Sequence, residues 1–310
     1  TNHNKFIKDE YKHLKDAAKK QNIWILPGVE LSVNDGSNGI HTLIVFDPET
    51  WIQEPTDYIN NFLSAAFEDV YNSENADQRC KYNVSELLKK LSEHRTLGRD
   101  SLIIFAHVDA DNGFLKGLNG GSIKQIANNE LFDKFVLGFQ KSRKFDLQNR
   151  YEEVTGKELP ALLEGSDCKS IDGVGKFSTN DGNETCTYVK LGHFNFKALR
   201  FALVDHCNRV SFNKVDIKNQ YIRSIAFNGG KLDGETINFS PELNSLIGIR
   251  GSGKSAIIEI LRYALGISLT SSSSDNEYKG GLLEYILGSG GTATVQVVGY
   301  QGKVFKIKKT

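Results

Sequence analysis

Residues Gly248 to Ser255 read G-I-R-G-S-G-K-S, a full G-x-x-x-x-G-K-[ST] run. Such a run constrains the fold because it works only between a strand and a helix. There, backbone N–H groups and a helix N-terminus converge on phosphate. Both flanks suit this. Ile237–Phe239 and Ser245–Ile247 read as short strands, and Ala256–Leu265 carries a helical stripe of Ile257, Ile258, Leu261, Ala264 and Leu265. Gly251 and Gly253 allow the tight curl, within a loop that also contains Gly248, Arg250 and Ser252. Lys254 is placed to reach the β/γ-phosphates and Ser255 to hold Mg²⁺. The expectation is a nucleoside triphosphate site, for ATP with Mg²⁺.

The chain of 310 residues has material for two domains. Its formal net charge is zero, so any nucleic-acid surface must be local. The basic clusters at Lys12–Lys20 and Lys141–Lys144 read as solvated faces. No apolar run approaches the roughly 18 residues of a membrane span, which excludes a membrane helix as partner chemistry. Cys80, Cys168, Cys186 and Cys207 form no C-x-x-C pair and fit reduced thiols, hence a cytoplasmic protein. The chain begins at Thr1, contains no methionine and stops after a hairpin, Thr292–Val298 with Val304–Ile307, turning at Gly299–Gly302. It is therefore expected to be a piece of a longer protein.

The first ~200 residues alternate helical and strand-like segments, the α/β signature. Helices are expected over Asp9–Lys20, Val84–Glu93 and Phe196–Val204. Strands are expected over Ile23–Leu26, His41–Phe46, Leu102–Ala106, Phe135–Leu137 and Ala161–Leu163. Asp205–Lys218 is polar and marks a boundary: a first domain over residues 1–204, a linker over 205–218 and a second domain over 219–310. Leu269–Lys279 is serine-rich and reads as a surface loop. Trp24 and Trp51 read as packing residues.

A second constellation lies in the first domain, where His and carboxylate residues recur at strand boundaries. His3 lies in T-N-H-N. Glu30 ends I-L-P-G-V-E just after a strand, and His41 opens I-H-T-L-I-V-F. His107 follows L-I-I-F-A, and Asp167 follows A-L-L-E-G-S. Strand ends gather such side chains at one mouth of a sheet or barrel, the usual setting of a divalent metal site. Taken singly, each is an ordinary polar residue; the order of the set carries the reading.

That order resembles the PHP (polymerase and histidinol phosphatase) family of metal-dependent phosphoesterases. T-N-H-N looks like its T-D-H-N, P-G-V-E its P-G-x-E, A-H-V its A-H-P and G-S-D-C-K its S-D-x-H. The resemblance implies a PHP-type distorted β/α barrel, with His3, Glu30, His107 and Asp167 as metal ligands, His41 as a further candidate, and Mn²⁺ or Zn²⁺ as the metal. The family's opening H-x-H is absent. Asn2 and Val108 replace its usual Asp and Pro, and Lys169 stands where its final histidine ligand belongs. Ser166 and Cys168 receive no role.

T-Y-V-K-L-G-H-F-N-F-K-A-L-R-F-A-L, followed by N-R-V and L-N-S-L-I-G-I-R-G-S-G-K-S, is similar to the TrlF-like proteins. These join a PHP domain to an ABC-type ATPase head of the SMC kind. The resemblance implies that the second domain is the N-terminal lobe of such a P-loop head. The signature motif, Walker B acid and catalytic Glu of that class are not visible in this sequence. It also implies a homodimer through paired heads, nucleic acid as partner, and a role in DNA repair or phage defence. The function so implied is an ATP-dependent or ATP-regulated metal-dependent phosphoesterase acting on nucleic acid. Lys169 keeps open an alternative, an ATP-driven nucleic-acid-binding or signalling ATPase on a degenerate, non-catalytic PHP scaffold. A small-molecule phosphatase is a third reading.

Overall fold

Period-two alternation of apolar residues builds a six-stranded sheet in the N-terminal part of the chain. The computed structural model describes residues 2–67, 78–140, 145–165, 178–180, 183–213, 219–267 and 273–310. By its contacts the chain divides into two units, Thr1–Lys214 and Val215–Thr310.

In the first unit, strands β1 (Asn2–His3), β2 (Gly28–Val33), β3 (Ile40–Phe46), β4 (Ser101–Phe105), β5 (Val136–Gln140) and β6 (Ala161–Leu163) lie side by side in that order. β3 is antiparallel to both neighbours, and the remaining pairings are parallel. The other five strands therefore point one way, and their C-terminal ends share one edge. Val29, Leu31, Val33, Ile40, Ile44, Phe46, Ile103 and Phe105 fill the main core on one face. Leu102 and Leu137, with the partly buried Val45 and Ile104, turn to the other face.

Helices cover both faces. On the main-core side, α1 (Lys8–Lys19) contributes Tyr11 and α2 (Tyr58–Phe67) contributes Ile59, Phe62 and Leu63. Helix α3 (Val84–Thr96) adds Leu87, Leu88 and Leu91, and α4 (Gly120–Ala127) adds Ile123 and Ile126. Helix α5 (Phe145–Thr155) adds Tyr151. On the far face α6 (Phe196–Val204) lays down Phe196 and Leu203. The start of α3 is written locally: the Asn83 side chain accepts from Glu86 N–H at 2.9 Å, and Glu86 accepts from Asn83 N–H at 3.0 Å, a reciprocal cap.

In the second unit β7 (Tyr221–Asn228), β8 (Thr236–Asn238), β9 (Thr292–Val298) and β10 (Val304–Lys309) form an antiparallel sheet in the order β8-β7-β9-β10. Helix α7 (Lys254–Ala264) buries Ala256, Ile260 and Ala264 in a core with Ile225, Phe227, Ala293 and Val295. Helix α8 (Ser273–Leu287) brings Ile286 and Leu287 to the same core. Among the described residues no helix is long and apolar enough to cross a membrane.

Several expectations need correction. Ile23–Leu26 is not a strand; it is an irregular lead into β2. Phe135 ends a helical turn, Phe132–Phe135, and the strand follows at Val136. The serine-rich stretch is helical from Ser273, because Leu282, Leu283, Ile286 and Leu287 anchor the same helix to the sheet. Ser245–Ile247 joins no ladder among the described residues; a strand needs a neighbouring chain, not only extended propensity. Of the stripe expected on α7, Ala264 is buried and Leu261 and Leu265 pack against the core, whereas Ile258 is 49% exposed and Ala256 and Ile260 complete the buried face. The α/β class expected of the first unit holds: beside three two-stranded ladders, its six-stranded sheet has β1 and β6 at the edges among the described residues.

Candidate functional site

Strand register brings His3, Glu30 and His41 together. β1 sets His3 directly beside Glu30, and β2 pairs Ser32 with His41, so Glu30 and His41 are diagonal neighbours. All three are out of phase with the core-facing Val29, Leu31, Ile40 and Ile44 and so share the opposite face. One potential ligand atom from each lies within 4.8 Å of the others. The His41 ring sits between two further imidazoles, with centroids 4.7 Å from His3 and 4.9 Å from His107. Glu30 therefore lies within β2, not after a strand as its sequence context suggests.

Glu30 Oε1 meets His41 Nδ1 at 2.8 Å, with the two side chains about one-fifth exposed. Burial pushes the Glu30 carboxyl up. The His41 hydrogen bond and the potential of His41, His3 and His107 outweigh it, and the pKa falls below the ordinary carboxylate value. The carboxylate is thus held ionised among three imidazoles. A lone diagonal His–Glu pair is an ordinary buried ion pair; two more imidazoles against it, with both His3 ring nitrogens buried, make a donor cluster.

His107 reaches this cluster through a sharp turn at the end of β4. Its φ is +27°, rare for a residue with a side chain, and Ala110 N–H closes back on His107 O at 2.8 Å. Gln140, at the end of β5, accepts the His107 backbone N–H at 2.7 Å. Gly113 packs under the same turn: a Cβ there would lie 2.2 Å from His107 O. Gly165, at the exit of β6, lies against the Gln140 amide, where a Cβ would be 2.8 Å from Nε2. Asp167, Lys169, Ser166 and Cys168 lie outside the described residues, as does Lys141–Lys144.

Asn112 and Gln140 were not legible as site residues. Asp111-Asn112-Gly113 reads only as a turn signal. In the fold the Asn112 carbonyl accepts His41 N–H at 2.9 Å, while its Nδ2 stands 3.1 Å from His41 Nε2. Two imidazoles and a carboxylate at these separations suit Zn²⁺ or Mn²⁺ in ligand type, so the residues present fit such an ion.

In the second unit, the glycine loop has the backbone its sequence demands. Gly251 and Gly253 hold φ of +83° and +86°, the left-handed region that glycine reaches without a Cβ clash. Gly253 sits at the N-cap of α7, so the free N–H groups of the first turn, at Lys254, Ser255 and Ala256, open toward the loop. Gly248 is packed tightly, since a Cβ would lie 2.5 Å from Ser252 Oγ. The Lys254 ammonium donates to Gly248 O and Ile249 O, each at 2.8 Å, and to Ser252 Oγ at 3.3 Å. Arg250 is exposed beside it. Leu243, Ile247 and Ile249, leading into the loop, are 91%, 94% and 83% exposed.

Residues 196–307 match a family model described as an AAA domain. The match supports an ATPase-type domain that binds ATP with Mg²⁺ over this part of the chain, and it contains the whole glycine loop. His3, Glu30, His41 and His107 fall outside it. Comparison with curated proteins and with solved structures gives no match.

Proposed function

We propose that this chain combines an ATP-binding P-loop domain with a PHP-like, divalent-metal phosphoesterase centre that acts on nucleic acid. The observation that carries the second half is the convergence of His3, Glu30 and His41 within 4.8 Å at the carboxyl edge of a largely parallel sheet, the usual position of ligand sites in open α/β sheets. In this reading His107 and Asp167 are further ligands, the strands belong to a distorted barrel, and two copies pair through their ATPase domains.

The residues divide the work by charge. Glu30, ionised and half-enclosed by imidazoles, supplies the negative charge that draws a cation in. His3 and His41 supply imidazole nitrogens from the strands on either side of it. A bound divalent ion would polarise a phosphoryl oxygen and make water more acidic. In the other domain, phosphate oxygens would take over the Lys254 ammonium from the carbonyls of Gly248 and Ile249. The N–H groups at the start of α7 would add donors without a charged side chain.

The test is Mn²⁺- and ATP-dependent cleavage of labelled DNA and RNA, with Glu30→Gln and Lys254→Ala as variants. Glu30→Gln is expected to abolish cleavage while ATP still binds. Lys254→Ala is expected to weaken ATP binding about ten- to a hundredfold, the worth of a charge-assisted hydrogen bond to phosphate. Cleavage undiminished in Glu30→Gln, or none in the unaltered protein with metal, overturns the phosphoesterase.

Two observations favour a second reading. Both ring nitrogens of His41 already have protein partners, Glu30 and Asn112, and Lys169 replaces the final histidine of the resembled pattern. On that reading the first unit is a scaffold and the protein is an ATP-driven nucleic-acid-binding machine. Metal analysis of the purified protein separates the two: tightly bound ions favour the enzyme, their absence after Mn²⁺ loading the scaffold.

A further inference from the structure

We infer that Arg79 is the substrate-binding cation of the first unit's site, its guanidinium receiving a phosphate oxyanion beside the His3–Glu30–His41 cluster. The inference rests on the phosphoesterase reading above and adds the residue that recognises the substrate's charge.

The backbone fixes where Arg79 lies. β1 ends at His3, and residues 78–82 take over its place alongside β2. Asn4 N–H meets Glu30 O at 2.8 Å, Cys80 N–H meets Ser32 O at 2.8 Å, and Asn34 N–H meets Tyr82 O at 2.9 Å. The fully buried Asn4 side chain ties the segment down: its Oδ1 accepts from Ser32 N–H at 3.0 Å and its Nδ2 donates to Gln78 O at 2.6 Å. Cys80 enters the main core, so the alternation of an extended chain turns Arg79 to the opposite face, that of Glu30 and His41. Ser32, the strand partner of His41, is its neighbour there. A Cβ on Gly39 would lie 3.0 Å from Ser32 Oγ and 3.3 Å from Arg79 Nε. The missing side chain at Gly39 thus clears a seat for the guanidinium next to the cluster.

The charge at that seat is uncommitted. Arg79 is exposed, and its hydrogen bond goes to a neutral acceptor, the Ser37 carbonyl. No carboxylate among the described residues pairs with it. Lys116 differs: it lies on the loop that meets residues 36–38 through Gly117 and Asp111, and Asp111 already holds its ammonium at 2.6 Å.

A phosphate approaching Glu30 meets like charge, and a cation on the same face offsets it. The guanidinium is always charged, and its planar fork matches two phosphate oxygens at once. Binding exchanges one bond to a carbonyl for a pair of charge-assisted bonds. Both a polynucleotide backbone and a free phosphate ester present such oxygens.

The experiment compares the unaltered protein with Arg79→Ala and Arg79→Lys, with far-ultraviolet circular dichroism checking the fold. The probes are an eight-nucleotide oligothymidylate and inorganic phosphate, at fixed salt and without divalent metal. Nitrogen-15 spectra of arginine-labelled protein follow the Arg79 Nε–H signal, identified by its loss in both variants. This signal separates the contact from phosphate held at the glycine loop. It is expected to move with oligothymidylate. By fluorescence anisotropy, Arg79→Ala is expected to bind labelled oligothymidylate about tenfold more weakly, the lower end for bonds to a charged group because the site is open to solvent. Arg79→Lys is expected to recover part of the loss, since it keeps the charge without the fork. Calorimetric Mn²⁺ affinity is expected not to weaken in either variant. A signal moved by phosphate alone keeps the oxyanion site and makes its source a small phosphate ester. A signal moved by neither probe overturns the inference, as does unchanged oligothymidylate affinity in Arg79→Ala. Weakened Mn²⁺ binding in Arg79→Ala also overturns it, because Arg79 then only holds the loop through Ser37. Undiminished Mn²⁺ affinity in Glu30→Gln, with the Arg79 signal still responding, removes the metal centre and leaves the phosphate contact standing.

Discussion

At the scale of single residues, charge and backbone freedom matter most. Glu30 stays ionised despite burial because His41 donates to it and His3 and His107 lie near. Gly253 is a different case: its φ of +86° is required by the turn, and no heavy atom lies within 4 Å of where a Cβ would go. Replacing it with alanine therefore adds backbone strain without a steric clash. Gly253→Ala is expected to destabilise the second unit by about 1–2 kcal/mol, the left-handed penalty of an L-residue. It is also expected to weaken ATP binding, because the loop would relax away from α7. Denaturant unfolding followed by far-ultraviolet circular dichroism, alongside binding of a fluorescent ATP analogue, reads both. Unchanged stability and affinity would show that the loop does not need this conformation.

At the scale of elements, the last turns of α3 meet the main core through an aromatic cluster. His94 lies on Trp51, centroids 4.6 Å apart, and near Phe62 at 5.8 Å. Its Nδ1 accepts from Arg99 Nε at 3.2 Å. Burial lowers the His94 pKa, and the Arg99 cation adds to the shift. The unfolded chain takes up this proton near pH 6.5, whereas the folded chain resists it until lower pH. Between those values the unfolded state binds more protons, so stability falls as pH drops below about 6.5. Urea midpoints followed by tryptophan fluorescence are expected to fall from pH 7.5 to 5.5, and to fall less in His94→Gln. An equal fall in both proteins would assign the pH dependence elsewhere. Elements also mark where sequence reading succeeds. Helix α3 was legible because Asn83 and Glu86 cap it locally and Leu87, Leu88 and Leu91 repeat at helical spacing. The strand expected at Ser245–Ile247 was not, because extended propensity says nothing about whether a ladder partner lies alongside. The helix from Ser273 was masked by its serines, whose low propensity is overridden by the apolar residues ten positions on.

At the scale of the whole molecule, each unit has its own core. Main-core residues such as Phe105, Phe114 and Phe139 serve the first, and Ile225, Ile260 and Val295 the second. Trp24 and Trp51 both fall in the first unit, so tryptophan fluorescence reports on that unit directly. Ile260→Ala, which empties a fully buried site, is expected to cost the second unit about 2–5 kcal/mol. Tryptophan-detected unfolding should stay in place while ATP-analogue binding is lost at lower urea. A matching shift of both transitions would mean that the two cores unfold as one.

The phosphate loop was written in eight consecutive residues, because glycine, lysine and serine at fixed offsets dictate a local backbone path whatever surrounds it. The histidine cluster could be suspected from His3, Glu30, His41 and His107, but their meeting depends on register. A one-residue slip between β2 and β3 would turn His41 to the other face of the sheet. Asn112 lay wholly beyond the sequence: a turn residue gains its role only when Phe114 anchors the loop and the fold carries its amide to an imidazole seventy-one positions away. Chemistry confined to a short run of chain is set by that run, whereas chemistry assembled across strands exists only after the sheet has chosen its neighbours.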